Sequence, residues 1–245
     1  MPRAGELTYF ARMSEAGRQH CINKPFSDAE TPRMFMDLGA IFSLLPPAPA
    51  RVLECGCGTG WLTYFLGRKG YEVVGQDCSP DAIELARANP PFTGPCNVGF
   101  ICSDFEGLGY RDEFDAIVFY GALHHSQDIE KAIQSAYQAL RPNGVFVAVE
   151  PGMGHERRSR KIIEEYDVGD RDMPPVLVMR HGRAAGFRET KAYQHAGQLC
   201  STVFNELPHS NFLKRVWQVP GARFCFLLAS LLFFKRYNGT VWMRK

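Results

Sequence analysis

From residue 51 onward, short runs of apolar residues alternate with segments in which apolar residues recur every three or four positions. The short runs are typical of strands buried on both faces of a sheet, and the longer segments are typical of helices. Strands that alternate with helices pair in parallel, with helices covering both faces. The pattern therefore predicts a doubly wound α/β domain. Seven strands are expected, at 51–54, 72–76, 98–102, 114–120, 145–150, 187–193 and 239–244.

The predicted helices fall between these strands and also precede the first one. Ser79 and Pro80 occupy the N-cap and first positions of a helix over 81–88. Further helices are expected at 128–140, 156–166 and 176–185, the second of them inside an insertion at 151–175. Two helical patterns separated near Pro220 lie within 198–236. Residues 1–48 are expected to form an N-terminal helical cap, whose segment 31–45 has one apolar face. This cap either covers a ligand site or packs on the sheet edge.

Composition and charge limit the class of protein. A chain of 245 residues, 45% of them hydrophobic, is large enough for one domain with a substantial core. With 28 basic and 26 acidic residues, it has no excess of charge that would predict nucleic-acid binding. The first ten residues lack the apolar core of a secretory signal, so a cytoplasmic location is expected.

The longest apolar stretch, 224–234, is shorter than the roughly 20 residues that span a bilayer. It predicts a core helix or a partner-binding surface, including a possible homodimer contact, and no membrane span. The eight cysteines include no CxxC pair, and Cys55 and Cys57 lie inside a glycine loop. The cysteine pattern therefore predicts reduced thiols and no metal site.

The first strand is followed by a glycine loop that predicts a ligand site. Gly56, Gly58 and Gly60 lie between this strand and a helix, where backbone amides can approach a ligand closely. A dinucleotide fingerprint would have a third glycine at position 61, which is Trp61. Glu54, just before the loop, would repel a pyrophosphate and attract a cation. These features favour S-adenosylmethionine (SAM), which carries an ammonium and a sulfonium, over NAD.

Two further acidic residues follow the next two strands. Asp77 ends the second strand, where a carboxylate can accept hydrogen bonds from both hydroxyls of a ribose. Asp104 follows the third strand and is expected to accept the exocyclic amine of adenine, with Phe105 packing on the ring or donating its backbone amide. Acidic residues after three successive strands predict an adenosine-bearing ligand.

Five motifs in order resemble the class I SAM-dependent methyltransferases: VLECGCGTG (52–60), GQDCSPDAIELAR (75–87), CSDFE (102–106), FDAIVFYGALHH (114–125) and LRPNGVFVAVEPG (140–152). The resemblance implies SAM as the cofactor and a seven-stranded, mostly parallel sheet whose last strand is antiparallel. It assigns 49–245 to the methyltransferase domain. The residues expected to bind the cofactor are Glu54, Gly56, Cys57, Gly58, Gly60, Trp61, Asp77, Cys78, Asp104, Phe105 and Tyr120.

Methyl transfer chiefly requires that the acceptor be held in line with the methyl carbon, and a hydroxyl acceptor also benefits from a base. The candidates for this base are His124 and His125 after the fourth strand, with Glu150 and His155 as rivals. The insertion is expected to select the substrate. Its basic cluster either holds an anionic acceptor or forms a solvated face of a helix. That cluster consists of Arg157, Arg158, Arg160 and Lys161.

The segments EPGMGH, DRDMPP and KPFSDAETP resemble those of a bacterial group of methyltransferases in cell-surface polysaccharide or lipid pathways. This resemblance favours a carbohydrate hydroxyl as the acceptor, with another small molecule as the alternative. Two other functions stay open. The first is a nucleotide-dependent oxidoreductase on a related sheet. The second is a SAM-binding protein that stabilises a partner without catalysis.

Overall fold

The computed structural model of this chain describes residues 2–91, 95–194, 215, 218–219 and 221–245. Its strands are β1 (Arg51–Cys55), β2 (Glu72–Asp77), β3 (Val98–Cys102), β4 (Phe114–Tyr120), β5 (Leu140–Val149), β6 (Glu189–Gln194) and β7 (Gly239–Arg244). Its helices are α1 (Ala4–Arg12), α2 (Glu15–Ile22), α3 (Thr31–Leu44), α4 (Trp61–Arg68), α5 (Pro80–Ala88), α6 (Ile129–Ala139), α7 (His155–Tyr166), α8 (Pro175–Ala185) and α9 (Ala222–Tyr237).

The seven strands form one sheet in the order β3-β2-β1-β4-β5-β7-β6. The first five strands are parallel to one another, whereas β7 runs antiparallel to both β5 and β6. The predicted fold class is therefore confirmed, including the antiparallel last strand. Chain order reverses at β1, which lies between β2 and β4. In open α/β sheets, the crevice at such a reversal is where ligands bind.

Both faces of the sheet are buried, as the apolar runs of the central strands predict. Alternate residues of a strand point to opposite faces, so β4 contributes to two cores. Ile117 and Phe119 pack with α6 and α8 on one face, and Ala116 and Val118 pack with α3 and α4 on the other. This sandwich holds the carboxyl ends of β1, β2 and β4 in fixed positions.

The starts of two strands differ from the sequence prediction by more than one residue. β5 begins at Leu140 rather than at 145, because Leu140 already pairs with Phe114 before a shift in register. β6 begins at Glu189 rather than at 187, because Phe187 closes the end of α8 by donating its backbone N–H to Gly182. The first helical pattern expected within 198–236 lies outside the described residues.

The apolar segment 224–234 forms most of α9, and several of its large side chains are exposed. Phe224 and Leu232 are each about two-thirds exposed, so the expectation of a core helix is wrong and a surface helix remains. Within the described ranges, none of the helices combines the length and the apolar character needed to cross a bilayer.

Candidate functional site

A cavity of about 420 Å³ opens at the carboxyl ends of β1, β2 and β4, at the point where the strand order reverses. Its volume falls within the usual range for small-molecule sites. Of the predicted cofactor-binding residues, those that line the cavity are Glu54, Gly56, Cys57, Gly58, Trp61, Asp77, Cys78, Asp104, Phe105 and Tyr120. His124, His125 and His155 line it as well. Gly60 and Glu150 do not line the cavity.

The glycine loop after β1 is shaped by close approaches that exclude side chains. Gly56 has φ +72°, and a Cβ there would lie 2.4 Å from the Cβ of Ala122. Gly60 caps α4 with φ +80°, and a Cβ there would lie 2.8 Å from the ring of Phe100. Gly60 therefore allows the helix to pack closely against the sheet. Trp61 in the next position does not prevent this close packing.

Asp77 is held by the loop that it faces. Its carboxylate accepts hydrogen bonds from the backbone N–H of Gly58 (2.8 Å) and of Ser79 (2.9 Å). Burial raises the pKa of Asp77, and these two hydrogen bonds oppose the rise. Asp104 accepts from the N–H of Glu106 (2.9 Å) and caps a short 3₁₀ turn. The carboxylates of β2 and β3 are thus positioned by backbone amides at the cavity wall.

Glu54 is only 2% exposed and reaches the cavity from the end of β1. Burial raises its pKa to about 8, although the hydroxyl of Thr63 donates to the carboxylate and opposes the shift. The negative charge of Asp77 raises the pKa further. In the ligand-free chain at neutral pH, Glu54 is therefore largely protonated, a property that the sequence pattern did not predict.

Tyr120 connects the cavity to the N-terminal helices. Its ring packs edge-on against Trp61, with ring centroids 5.3 Å apart. Its hydroxyl donates to Asp37 of α3 (3.1 Å), a residue that is 1% exposed. Burial, followed by the charge of Asp37, raises the pKa of Tyr120. Tyr120 therefore presents a neutral phenol and a rigid apolar wall.

His124 is buried between two carboxylates. Its Nδ1 lies 2.7 Å from Glu150 Oε2 and its Nε2 lies 3.2 Å from Asp170 Oδ1. Burial disfavours the charged ring, but the hydrogen bonds to Asp170 and Glu150 outweigh it and raise the pKa of His124 to about 9. Both ring nitrogens are engaged, so His124 is poorly suited to accept a proton from an acceptor.

Glu150, one of the candidates for the base, lies behind the cavity wall and does not face the cavity. It is 3% exposed and accepts hydrogen bonds from the backbone N–H groups of Ala122 (3.1 Å), Leu123 (2.8 Å) and His124 (3.3 Å). Glu150 fixes the loop after β4 and the ring of His124.

Asp170 joins two histidines and was not among the predicted site residues. Its Oδ1 lies 2.6 Å from His155 Nε2 as well as 3.2 Å from His124 Nε2. Burial acts to raise the pKa of Asp170, but the bonds to the two rings hold it well below the ordinary range. In sequence, Asp170 is separated from both partners by loop or helix, so no local pattern indicated it.

The inner face of α7 carries uncharged and imidazole side chains, and the basic cluster lies on the other face. His155, Ser159 and Ile162 follow one another at spacings of four and three residues and line the cavity. Ser159 Oγ lies 3.3 Å from His155 Nε2. Arg157, Arg158, Arg160 and Lys161 are exposed on the outer face, where Arg160 pairs with Glu164 (2.8 Å). The basic residues form a solvated surface.

The N-terminal helix α1 closes the cavity from outside the sheet. Pro2, Glu6, Tyr9 and Phe10 line the cavity. Glu6 accepts from the backbone N–H of Gly169 (2.6 Å). Gly5 approaches the end of α7 so closely that a Cβ would lie 2.0 Å from the carbonyl oxygen of Tyr166. Of the two roles considered for the N-terminal segment, the contacts of α1 support the cover over the site.

Comparison with known proteins identifies the central part of the chain. Residues 52–144 match the family model described as "Methyltransferase domain". The mitochondrial ubiquinone biosynthesis O-methyltransferase of Rattus norvegicus is 36% identical over 103 residues, which are 40% of this chain and 30% of that protein. The chain spans between about 28% and 54% of the length of the first curated relatives that it matches.

Solved structures extend the likeness over most of the chain. A SAM-dependent methyltransferase from Mesorhizobium loti aligns with 89% of this chain and 98% of its own, with a TM-score of 0.59 and 19% identity. Phosphoethanolamine N-methyltransferase 2 of Haemonchus contortus, in complex with SAM, aligns with 97% of this chain and 59% of its own, with a TM-score of 0.65 and 14% identity. At these identities the structures establish the fold. The ordered motifs, the family match and this fold together show that the chain carries a SAM-dependent methyltransferase domain of class I.

Proposed function

We propose that this protein transfers a methyl group from SAM to a hydroxyl oxygen of a small-molecule acceptor. One observation carries the proposal. A single cavity joins the carboxylates at the ends of β1, β2 and β3 to the histidine cluster formed by the loop after β4 and by α7. The first set suits an adenosine with a cationic amino acid part, and the second set suits a hydroxyl that must lose a proton.

The residues present fit SAM. Glycine lines the cavity at 58 and 121, and a Cβ at Gly121 would meet nothing within 4 Å, so a ligand can approach this backbone. Two buried polar atoms of the cavity wall, Ser126 Oγ and Gln127 Nε2, have no hydrogen-bond partner among the described residues. Buried polar groups are costly without a partner, so both atoms are suited to bind a polar ligand.

When bound, SAM supplies a methyl carbon activated by a cationic sulfur. We assign Glu54 to its ammonium, Asp77 to its ribose and Asp104 with Phe105 to its adenine. Tyr120 and Trp61 exclude water from the end of β4. The contribution of the chain is then position and orientation, which can lower the barrier of such a displacement by several kcal/mol.

His155 is the best placed general base. One of its ring nitrogens, Nε2, is paired with Asp170 (2.6 Å), which leaves Nδ1 to take the proton of the acceptor hydroxyl. His155 is about a quarter exposed in its side chain, whereas His124 is 7% exposed and has carboxylates on both nitrogens. A histidine oriented by a carboxylate is the arrangement that many enzymes use for this purpose.

For the acceptor we favour a phenolic ring over a sugar. Aromatic and aliphatic side chains of Tyr9, Phe10 and Ile162 line the cavity, and apolar walls suit a ring better than a polyol. The rat relative is described as an O-methyltransferase of ubiquinone biosynthesis. The comparisons reported above give no support to a polysaccharide pathway.

The test is methyl transfer from labelled SAM to matched panels of phenols, catechols and sugars, with S-adenosylhomocysteine (SAH) binding measured separately. We expect methylated phenols with the wild type. Asp77→Ala should abolish SAH binding while the fold stays intact, and His155→Gln should keep SAH binding and lower kcat by about 10²–10⁴. His181→Gln on α8, outside the cavity, is the control.

Three other results would contradict the proposal in distinct ways. Methylation of sugars alone would overturn the phenolic acceptor. SAH binding with no transfer to any acceptor would favour a SAM-binding partner protein, for which the exposed helix α9 offers a surface. Binding of NAD and not of SAH would favour the oxidoreductase.

A further inference from the structure

Three side chains on the acceptor side of the cavity have the arrangement of a metal site. His124, His125 and Asp170 each offer one ligand atom, and the three atoms lie within 4.8 Å of one another. All three residues line the cavity. The Nε2 of His124 and the Oδ1 of Asp170 are 3.2 Å apart, a separation that two ligands of one ion commonly have.

Each of these three side chains is held by a second group, as metal ligands in proteins usually are. His124 donates from Nδ1 to Glu150 (2.7 Å), and His125 donates from Nδ1 to the carbonyl oxygen of Gly169. A carbonyl oxygen only accepts, so the proton of His125 is on Nδ1 and its Nε2 is left with a lone pair. Asp170 in turn accepts a hydrogen bond from His155.

Charge also favours a cation at this point. Three carboxylates surround the histidines. They belong to Glu150, to Asp170 and to Glu6, whose Oε1 lies 3.3 Å from His125 Nδ1. Arg157, Arg158, Arg160 and Lys161 do not line the cavity. Lys24 does line it, but among the described residues it forms no ion pair with these three carboxylates. A divalent ion between Asp170 and the two imidazole rings would supply the positive charge.

We propose that His124, His125 and Asp170 bind a divalent transition-metal ion, with at least one coordination position open to the cavity. Two histidines and one carboxylate are a ligand set that proteins use for zinc and for iron(II). The cysteine pattern predicted no metal site, and this ligand set contains no cysteine.

The open position gives the ion a role in the reaction, and this part of the inference rests on the proposed function. An acceptor hydroxyl bound there loses its proton more readily, because the metal ion stabilises the oxyanion. The O–H bond breaks, its electron pair stays on the oxygen and the proton passes to His155. A catechol, with two adjacent oxygens, would occupy two positions on the ion and fix its orientation.

The test uses the full chain, treated with a chelator and dialysed, and needs neither SAM nor acceptor. Zn²⁺ binding is measured by calorimetry, and Co²⁺ serves as a spectroscopic probe through its d–d absorption. We expect one ion per chain. Asp170→Asn and His125→Gln should each weaken Zn²⁺ binding by about 100-fold or more. Glu150→Gln, which changes the support of His124 and of the loop after β4, should weaken it by about 10–100-fold. His181→Gln should bind as the wild type does.

Circular dichroism and SAH binding of each variant show whether it folds, so a loss of metal in a folded variant supports the site. The proposal is overturned if the folded wild type binds neither Zn²⁺ nor Co²⁺ at 1 mM, or if folded Asp170→Asn retains wild-type affinity. In that case His124 is a protonated ring clamped between two carboxylates. Metal binding without methyl transfer would leave the site in place and count against the proposed function alone.

Discussion

The raised pKa of Glu54 predicts that cofactor binding depends on pH. If Glu54 receives the ammonium group of the cofactor, it must be ionised in the complex, whereas burial keeps it protonated in the free protein below about pH 8. Binding at lower pH then requires the release of one proton. Because each pH unit below the pKa costs about 1.4 kcal/mol, affinity at pH 6 should be on the order of 100-fold weaker than above pH 8.

Titration calorimetry with SAH between pH 6 and pH 9 measures this dependence. Wild-type affinity should rise about tenfold per unit up to pH 8 and then level off. At pH 7, measurements in two buffers of different ionisation enthalpy should show the release of close to one proton per ligand bound. The rise with pH follows because the deprotonated carboxylate is the form that binds.

Glu54→Gln is the matched variant, since its amide oxygen can still accept the hydrogen bond from Thr63. Its affinity should be weaker than that of the wild type at pH 8.5 and nearly independent of pH. The reasoning fails if Glu54→Gln keeps the wild-type slope, or if the wild type binds SAH without releasing a proton. Either result would place the cofactor's ammonium elsewhere.

Three further predictions concern stability and the cover over the site. Because the pKa of Glu54 is raised from 4.5 to about 8 on folding, the free wild type should lose stability as pH rises between these values. Glu54→Gln should show a smaller loss in Tm from pH 5 to pH 8, and parallel Tm curves would contradict this. Gly5→Ala should displace α1 from α7 and so raise Kd for SAH or KM for the acceptor. Gly39→Ala on α3, where a Cβ meets nothing within 4 Å, should change neither constant. Equal effects of the two variants would refute the role of α1 as a cover over the site. Tyr120→Phe removes the donor to buried Asp37 and should cost about 1–3 kcal/mol in urea unfolding, so unchanged stability would show that this hydrogen bond contributes nothing.

The sequence predicted the fold well because buried parallel strands are nearly continuous apolar runs. The predicted bounds of β3, β4 and β7 agree with the structure, and Ser79 and Pro80 start α5 as expected. The errors lie where local signals conflict with tertiary pairing. Turn residues at 142–144 predicted a later start of β5, yet Leu140 is already paired with Phe114.

The cavity has a cofactor half, at the ends of β1, β2 and β3, and an acceptor half, around His124 and His155. The two halves differ in how far the sequence could predict them. The cofactor half follows strand ends in chain order, so each residue comes with its own local motif, and Glu54, Asp77 and Asp104 all line the cavity. The sequence did not predict the protonation of Glu54. The raised pKa of Glu54 depends on its burial and on Asp77, and neither can be derived from a motif.

The acceptor half is assembled from segments that no local motif connects. Glu6 of α1, the loop after β4, the inner face of α7 and Asp170 meet only through contacts between residues far apart in the chain. Glu6, His155 and Asp170 also lie outside residues 52–144, the part that matches the methyltransferase family model. Relatives that share that part share the means of binding the cofactor, but they need not share an acceptor. We therefore expect the choice of acceptor to depend on α1, α7 and Asp170. Substitutions of Asp170 and of the inner face of α7 should change the substrate while they leave cofactor binding unchanged.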